Sequence, residues 1–125
     1  MAALDALIAA LPKVELHCHL EGSVPPEVFI ELADRHGLAL ATRDPDHVYD
    51  FTSFLGFLDL YYLVCDAIRT PDDVALAVHA SLGHGAATGN LRHREMFFSP
   101  TNHDLPYAAM VEGLTAGIEA AEAAG

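Results

Sequence analysis

The chain has 125 residues, a formal net charge of −12 and a pI near 4.7. That length holds one domain of ordinary size or part of one, and the negative field repels phosphate backbones and anionic lipid, which excludes nucleic acid and membrane surfaces as partners. With 52% hydrophobic residues against 19% charged and a mean hydropathy of +0.26, the composition implies a packed core.

The opening segment, MAALDALIAALPK, lacks a basic n-region and carries Asp5, so it does not read as a signal peptide; Leu4, Leu7, Ile8 and Leu11 instead fall at helical spacing. Lys13 to Leu20 is the first predicted strand. Val14, Leu16, Cys18 and Leu20 alternate there with Lys13, Glu15, His17 and His19, which places the apolar set on one face and the polar set on the other. Gly22 and Ser23 break the strand. Ser23 as N-cap, Pro25 and Pro26 in the first turn and Gly37 as the stop predict a helix over 25–36, with Val28, Phe29, Leu32 and Ala33 as its buried stripe.

Residues 39–49 show no period and contain the Asp44-Pro45 turn signal, so they are expected to form a loop. Ser53 to Ile68 has helical spacing at Phe54, Phe57, Leu58, Tyr61 and Tyr62. Asp59 and Asp66 interrupt this strongest apolar run, so no membrane span is predicted. Thr70-Pro71-Asp72-Asp73 reads as a cap, a first-turn proline and an acidic first turn, starting a helix to about Ala87. Gly89 and Asn90 turn the chain into a second strand, Leu91 to Phe98, ended by Ser99 and Pro100. An Ala-rich helix follows to about Glu122. Alternating strands and helices are the pattern of an α/β chain with a parallel sheet. Cys18 and Cys65 alone offer no disulfide framework, and a cytoplasmic setting is expected.

The most informative string is Leu16-His17-Cys18-His19-Leu20-Glu21-Gly22. On a strand His17 and His19 point the same way, so two imidazoles reach one cation while Cys18 packs behind the sheet. Such a pair suits zinc, copper, iron or nickel without choosing among them, and a lone His-x-His is also found as ordinary surface or core groups. Placement at a strand end before a glycine-containing loop favours a site, because parallel-sheet enzymes hold theirs there. Glu21 adds a carboxylate within reach, or stands as a solvated loop acid.

Leu11 to Ser23, LPKVELHCHLEGS, closely resembles the opening motif of the adenosine deaminase family, metal-dependent purine deaminases of the amidohydrolase superfamily. Arg94 to Pro100, REMFFSP, resembles the family's second barrel strand, and Phe57 to Tyr62 the helical segment over its purine pocket. The resemblance covers nearly the whole chain. It implies the N-terminal portion of a (β/α)8 TIM barrel, two strands plus several helices with the barrel incomplete, so that residues 1–125 form a partial barrel domain. It further implies zinc (Zn2+) held by His17 and His19, and substrate contacts from Glu21, Gly22, Phe57, Leu58 and Tyr61. The implied reaction is hydrolytic deamination of adenosine to inosine and ammonia, on a small-molecule purine. Adenine is the alternative, since Glu21 in place of Asp and Phe97, where many adenosine deaminases carry Arg, look like the adenine deaminase branch. The general acid and remaining ligands of the family have no match here, so the isolated chain is expected to be inactive. A noncatalytic fragment acting through a partner chain is a further reading, and exposed barrel edges are expected to favour self-association. His93 reads as a strand residue; His79, His84 and His103 read as surface or loop groups.

Overall fold

A computed structural model describes all of residues 1–125. The element order is α1 (Ala2–Ala10), β1 (Lys13–His19), a 3-10 turn over Leu20–Gly22, α2 (Pro26–Arg35), α3 (Phe54–Ala67), α4 (Pro71–Gly89), β2 (Leu91–Phe97), a second 3-10 turn over Pro100–Asn102, and α5 (Tyr107–Ala124). β1 and β2 pair in parallel as a two-stranded sheet. Parallel pairing requires a long crossover, and α2, α3 and α4 supply it. Residues 39–49 form the expected loop without helix or strand. No helix is long and apolar enough to cross a membrane.

The core lies where these helices meet one another and one side of the sheet. Phe29, Leu32 and Ala33 of α2, Val64 and Ala67 of α3, and Val74, Ala77 and Val78 of α4 pack with Leu20, Val24, Val48 and Ile68. Val28 is only half-buried at the margin of the predicted stripe. The loop contributes more than its sequence suggests: the Tyr49 ring stacks on Phe29 at 5.3 Å, and its hydroxyl donates to the Val24 carbonyl at 2.9 Å. Helix α1 has its expected spacing but no buried residue; Asn90 tethers its end by donating from Nδ2 to the Ala10 carbonyl at 2.8 Å.

Two local expectations are corrected. Ser23 does not cap α2, whose N-cap is Pro25; its hydroxyl donates to the Leu20 carbonyl and approaches Ser81 Oγ at 2.6 Å, tying the turn after β1 to α4. Strict alternation along β1 also fails. Val14 and Leu16 are about 60% exposed, at 62% and 60%, whereas Cys18 and Leu20 are buried. The pairing has two register shifts, one between Lys13 and Val14 and one between Glu15 and Cys18; the second is the cause, because there β1 advances three residues while β2 advances two, Arg94 to Met96. An extra residue of this kind reverses the faces on either side of it. Glu15 thereby joins the helix side, paired at 2.6 Å with Arg94, which also donates to Ser81 of α4. Beyond the irregularity Cys18 and Leu20 take that side, leaving His17 and His19 on the open one.

The start of α4 is fixed by Asp73. Its fully buried carboxylate accepts from Arg35 Nη1 at 2.6 Å, His36 Nε2 at 2.7 Å and the backbone N–H groups of Arg69 and Thr70, both at 3.0 Å. The Thr70 hydroxyl accepts from the Asp73 N–H, completing the capping box anticipated in the sequence. Burial alone would raise this carboxyl, but donors from Arg69, His36, Arg35 and Thr70 outweigh it and hold Asp73 below its ordinary value of 3.8. At the far side of α4, α5 packs through Gly113 and Gly117. A Cβ on Gly117 would lie 2.7 Å from both the Ala75 carbonyl oxygen and Val78 Cβ.

Two measurements check these assignments. Asp73→Asn is expected to cost ~2–4 kcal/mol at neutral pH in urea melts, because it removes charged hydrogen bonds at a buried position. Since the folded pKa is the lower one, the stabilisation is present above the unfolded value of 3.8 and is lost as pH falls below it through the folded value, so the variant shows a shallower acid decline than the wild type. Gly117→Ala is expected to lower stability by ~1–3 kcal/mol through overpacking against α4, read as a drop in Tm.

Candidate active site

Because β1 and β2 are parallel and His19 lies opposite Phe97, the residues following the two strands emerge side by side. Glu21, two residues past β1, therefore meets Ser99, two residues past β2. The Ser99 N–H donates to Glu21 Oε1 at 2.6 Å. The second donor to the same oxygen is His103 Nε2, at 2.9 Å. His103 Nδ1 faces the Cys65 carbonyl of α3 at 3.2 Å; a carbonyl only accepts, so Nδ1 carries a proton and the ring is held at both ends. The side chains of Glu21 and His103 are 0% and 1% exposed.

Glu21 is thus no solvated loop acid, and His103 is no surface group. Burial pushes the Glu21 carboxyl up, but the hydrogen bonds from His103 and the Ser99 amide prevail and hold it below the ordinary glutamate value. Its other oxygen, Oε2, is buried and has no hydrogen-bond partner. Few buried polar atoms go unpaired, so this one calls for an explanation. Glu21 and Gly22 line a cavity of about 200 Å³ whose remaining walls are Tyr49, Phe51, Phe57, Leu60, Tyr61 and Val64. Tyr61 is anchored by a 3.0 Å hydrogen bond between its hydroxyl and Ser99 Oγ, and burial is the chief cause raising its phenol, which stays neutral.

The structure therefore brings Glu21, Gly22, Phe57 and Tyr61 around one cavity. Leu58, the other predicted contact on α3, is not in its wall; Leu60 stands there. Tyr49 and Phe51, from the loop and the segment after it, complete the wall without any signal in periodicity. His103 had a signal that strand pairing supplies: it follows β2 by only a few residues, on the same end of the sheet as Glu21. Of the other histidines, His93 lies in β2 as expected, while His79 and His84 belong to α4, the first half-buried and the second exposed.

His17 and His19 sit on the open side of β1 with ring centroids 5.3 Å apart, and Phe97 of β2 lies 4.5 Å from the His17 ring and 6.0 Å from that of His19. Adjacent exposed imidazoles are a donor set that zinc accepts, and Phe97 leaves them a partly apolar surround. They are two ligands, fewer than the three protein ligands of a catalytic zinc, and no third His, Cys, Asp or Glu forms a cluster with them. The one such trio is Glu21, Cys65 and His103, whose ligand atoms lie within 4.8 Å of one another. That trio is poorly suited to a metal: burial pushes the Cys65 thiol up to about 12, and a metal ligand must be the thiolate. Accordingly, Cys65 should stay unmodified by iodoacetamide at pH 8 in the folded chain and react in urea, as read by peptide mass spectrometry; rapid native alkylation would refute its protected state.

Comparison with known proteins places this geometry in context. The family model described as "Adenosine deaminase" matches residues 12–125. The adenine deaminase of Rhodospirillum rubrum is 41% identical, over 98% of this chain and 38% of that protein. The aminodeoxyfutalosine deaminase of Streptomyces coelicolor is 38% identical, over 96% of this chain and 32% of that protein. Among solved structures, an adenine deaminase from Arthrobacter aurescens superposes with a TM-score of 0.77 at 33% identity, covering 92% of this chain and 37% of that one. An amidohydrolase from Burkholderia ambifaria, solved with bound Zn, gives 0.83 at 33% identity, covering 98% and 35%. The chain spans little more than a third of the length of the curated relatives it matches.

Proposed function

Since the chain belongs to the adenosine deaminase family, we propose that residues 1–125 form a partial barrel domain serving the hydrolytic deamination of a purine, with adenine as substrate. Its two parallel strands and five helices are a portion of the TIM-barrel fold of its structural neighbours. The observation that carries the substrate reading is Glu21, a residue of the cavity lining: one carboxylate oxygen is fully engaged, and the other is buried without a hydrogen bond, with the Tyr61 hydroxyl nearby. A buried carboxylate oxygen calls for a donor. The imidazole N–H of a free purine base is such a donor, and in a nucleoside that nitrogen carries the sugar. The names of the relatives support the same reading, since most of those compared are adenine deaminases. We therefore rank adenine before adenosine, the reverse of the order expected from the family as a whole.

Within this reading His17 and His19 would hold a zinc ion, joined by ligands from beyond their own strand. Bound zinc supplies Lewis acidity, lowering the pKa of its water to about 7. The chain's own residues bind and orient the base: Phe57, Leu60 and Tyr61 cover it, Gly22 keeps the backbone near it, and Glu21 accepts its N–H. Tyr61, held to Ser99, fixes the wall at the end nearest Glu21.

The test is a chimera in which residues 1–125 replace the matching third of the Rhodospirillum rubrum adenine deaminase, assayed for ammonia release with zinc. Faster release from adenine than from adenosine is expected, and His17→Ala or His19→Ala should remove both the activity and the bound zinc. Faster release from adenosine would overturn the substrate assignment, and full zinc content in the double variant would overturn the ligand assignment. The exposed apolar residues of the open sheet side, Val14, Leu16 and Phe97, support a further reading, that the isolated chain self-associates there. Sedimentation velocity is expected to show species larger than a monomer, reduced by Leu16→Lys; a wild-type monomer at high concentration would contradict it.

A further inference from the structure

The Glu21 carboxylate has a single torsional freedom that matters to a ligand: which of its oxygens takes the protein's donors and which is left without one. The side-chain hydrogen bonds that orient it come from outside the 3-10 turn that carries it. Ser99 N–H and His103 Nε2 converge on the same oxygen, Oε1, at 2.6 and 2.9 Å. The Ser99 amide is part of the chain leaving β2 and moves only with it. His103 is different, since its ring is braced from behind by the Cys65 carbonyl and buried on all sides. With a carbonyl on one ring nitrogen and a carboxylate oxygen on the other, both of them acceptors, the ring donates from both nitrogens and its position is fixed.

We propose that His103 is a positioning residue that clamps Glu21 Oε1 and so presents Oε2 as the acceptor for a ligand N–H. The inference rests on the reading of the cavity as a purine site, and it assigns to His103 a role that neither spacing nor composition indicated. His103 lies outside the cavity wall, so it acts through Glu21. Without the clamp, Oε1 and Oε2 exchange places and share the Ser99 amide, and the acceptor is no longer held at one point.

The experiment uses the 125-residue chain and two probes, adenine and 9-methyladenine, which differ in the N9–H donor. Binding is followed by NMR shift titration of the Tyr61 and Phe57 ring resonances. In the wild type adenine is expected to bind more tightly than 9-methyladenine. In His103→Leu the adenine affinity should fall about tenfold, the worth of one charge-assisted hydrogen bond, while 9-methyladenine is unchanged, and His103→Gln, which keeps an N–H donor, should recover most of the preference. Equal losses for both probes in His103→Leu would overturn the proposal in favour of a purely structural role, as would an undiminished preference for adenine.

A second readout separates this outcome from failure of the purine reading. In the ligand-free chain the His103 Nε2 proton should resist solvent exchange, and Glu21→Ala should abolish that protection; an unprotected proton in the wild type would overturn the clamp. If the proton is protected but the wild type binds neither probe, the clamp is supported and the purine reading of the cavity is the part that falls.

Discussion

A carboxylate removed from water must be given donors, and the chain meets that demand at Glu21 with groups drawn from three places in the sequence. The Ser99 amide comes from the end of β2, His103 from the turn beyond it, and the Cys65 carbonyl that braces His103 from α3. Desolvating an unpaired carboxylate costs several kcal/mol, so these elements are tied to one arrangement by electrostatics rather than by apolar area alone. The cavity inherits its shape from the same tie. Tyr61 is set by Ser99, and the strand ends are set by the pairing of His19 with Phe97.

Asp73 plays a comparable part on the opposite flank. It gathers Arg35 and His36 from the end of α2 to the first turn of α4, with its own backbone amide returned to Thr70. The two buried acids differ in completeness. Asp73 has both oxygens engaged, as a structural group should, whereas Glu21 keeps one free beside a cavity. That contrast between two carboxylates of similar burial distinguishes a residue that holds the fold from one that awaits a partner.

What could be read from the residues was whatever depends on local chemistry. The capping box at Thr70 and Asp73, the glycine stop at Gly37, the left-handed turn at Asn90 and the strand placement of His17 and His19 all follow from short-range rules, and all are present. What escaped reading depends on pairing between distant segments. The burial of His103, the entry of Tyr49 and Phe51 into the cavity wall and the exposure of Val14 and Leu16 require knowing which strand end lies beside which, and how many residues each strand spends between partners. Leu58 and Leu60 show the same limit on a smaller scale: helical spacing marks both as apolar positions, and only the packing of α3 decides which one reaches the cavity.

The extra residue between Glu15 and Cys18 has a consequence for how this sequence can vary. It acts as a phase reset in the strand, so the facing of His17 and His19 is set from the bulge onward and is independent of the parity of the residues before it. The segment from Lys13 to Glu15 answers to Arg94 and the α4 flank, and the segment from Cys18 onward answers to the core. Two sets of requirements that a regular strand would force into one alternating pattern are thus separated, and substitution in the first half of β1 leaves the direction of the histidines untouched.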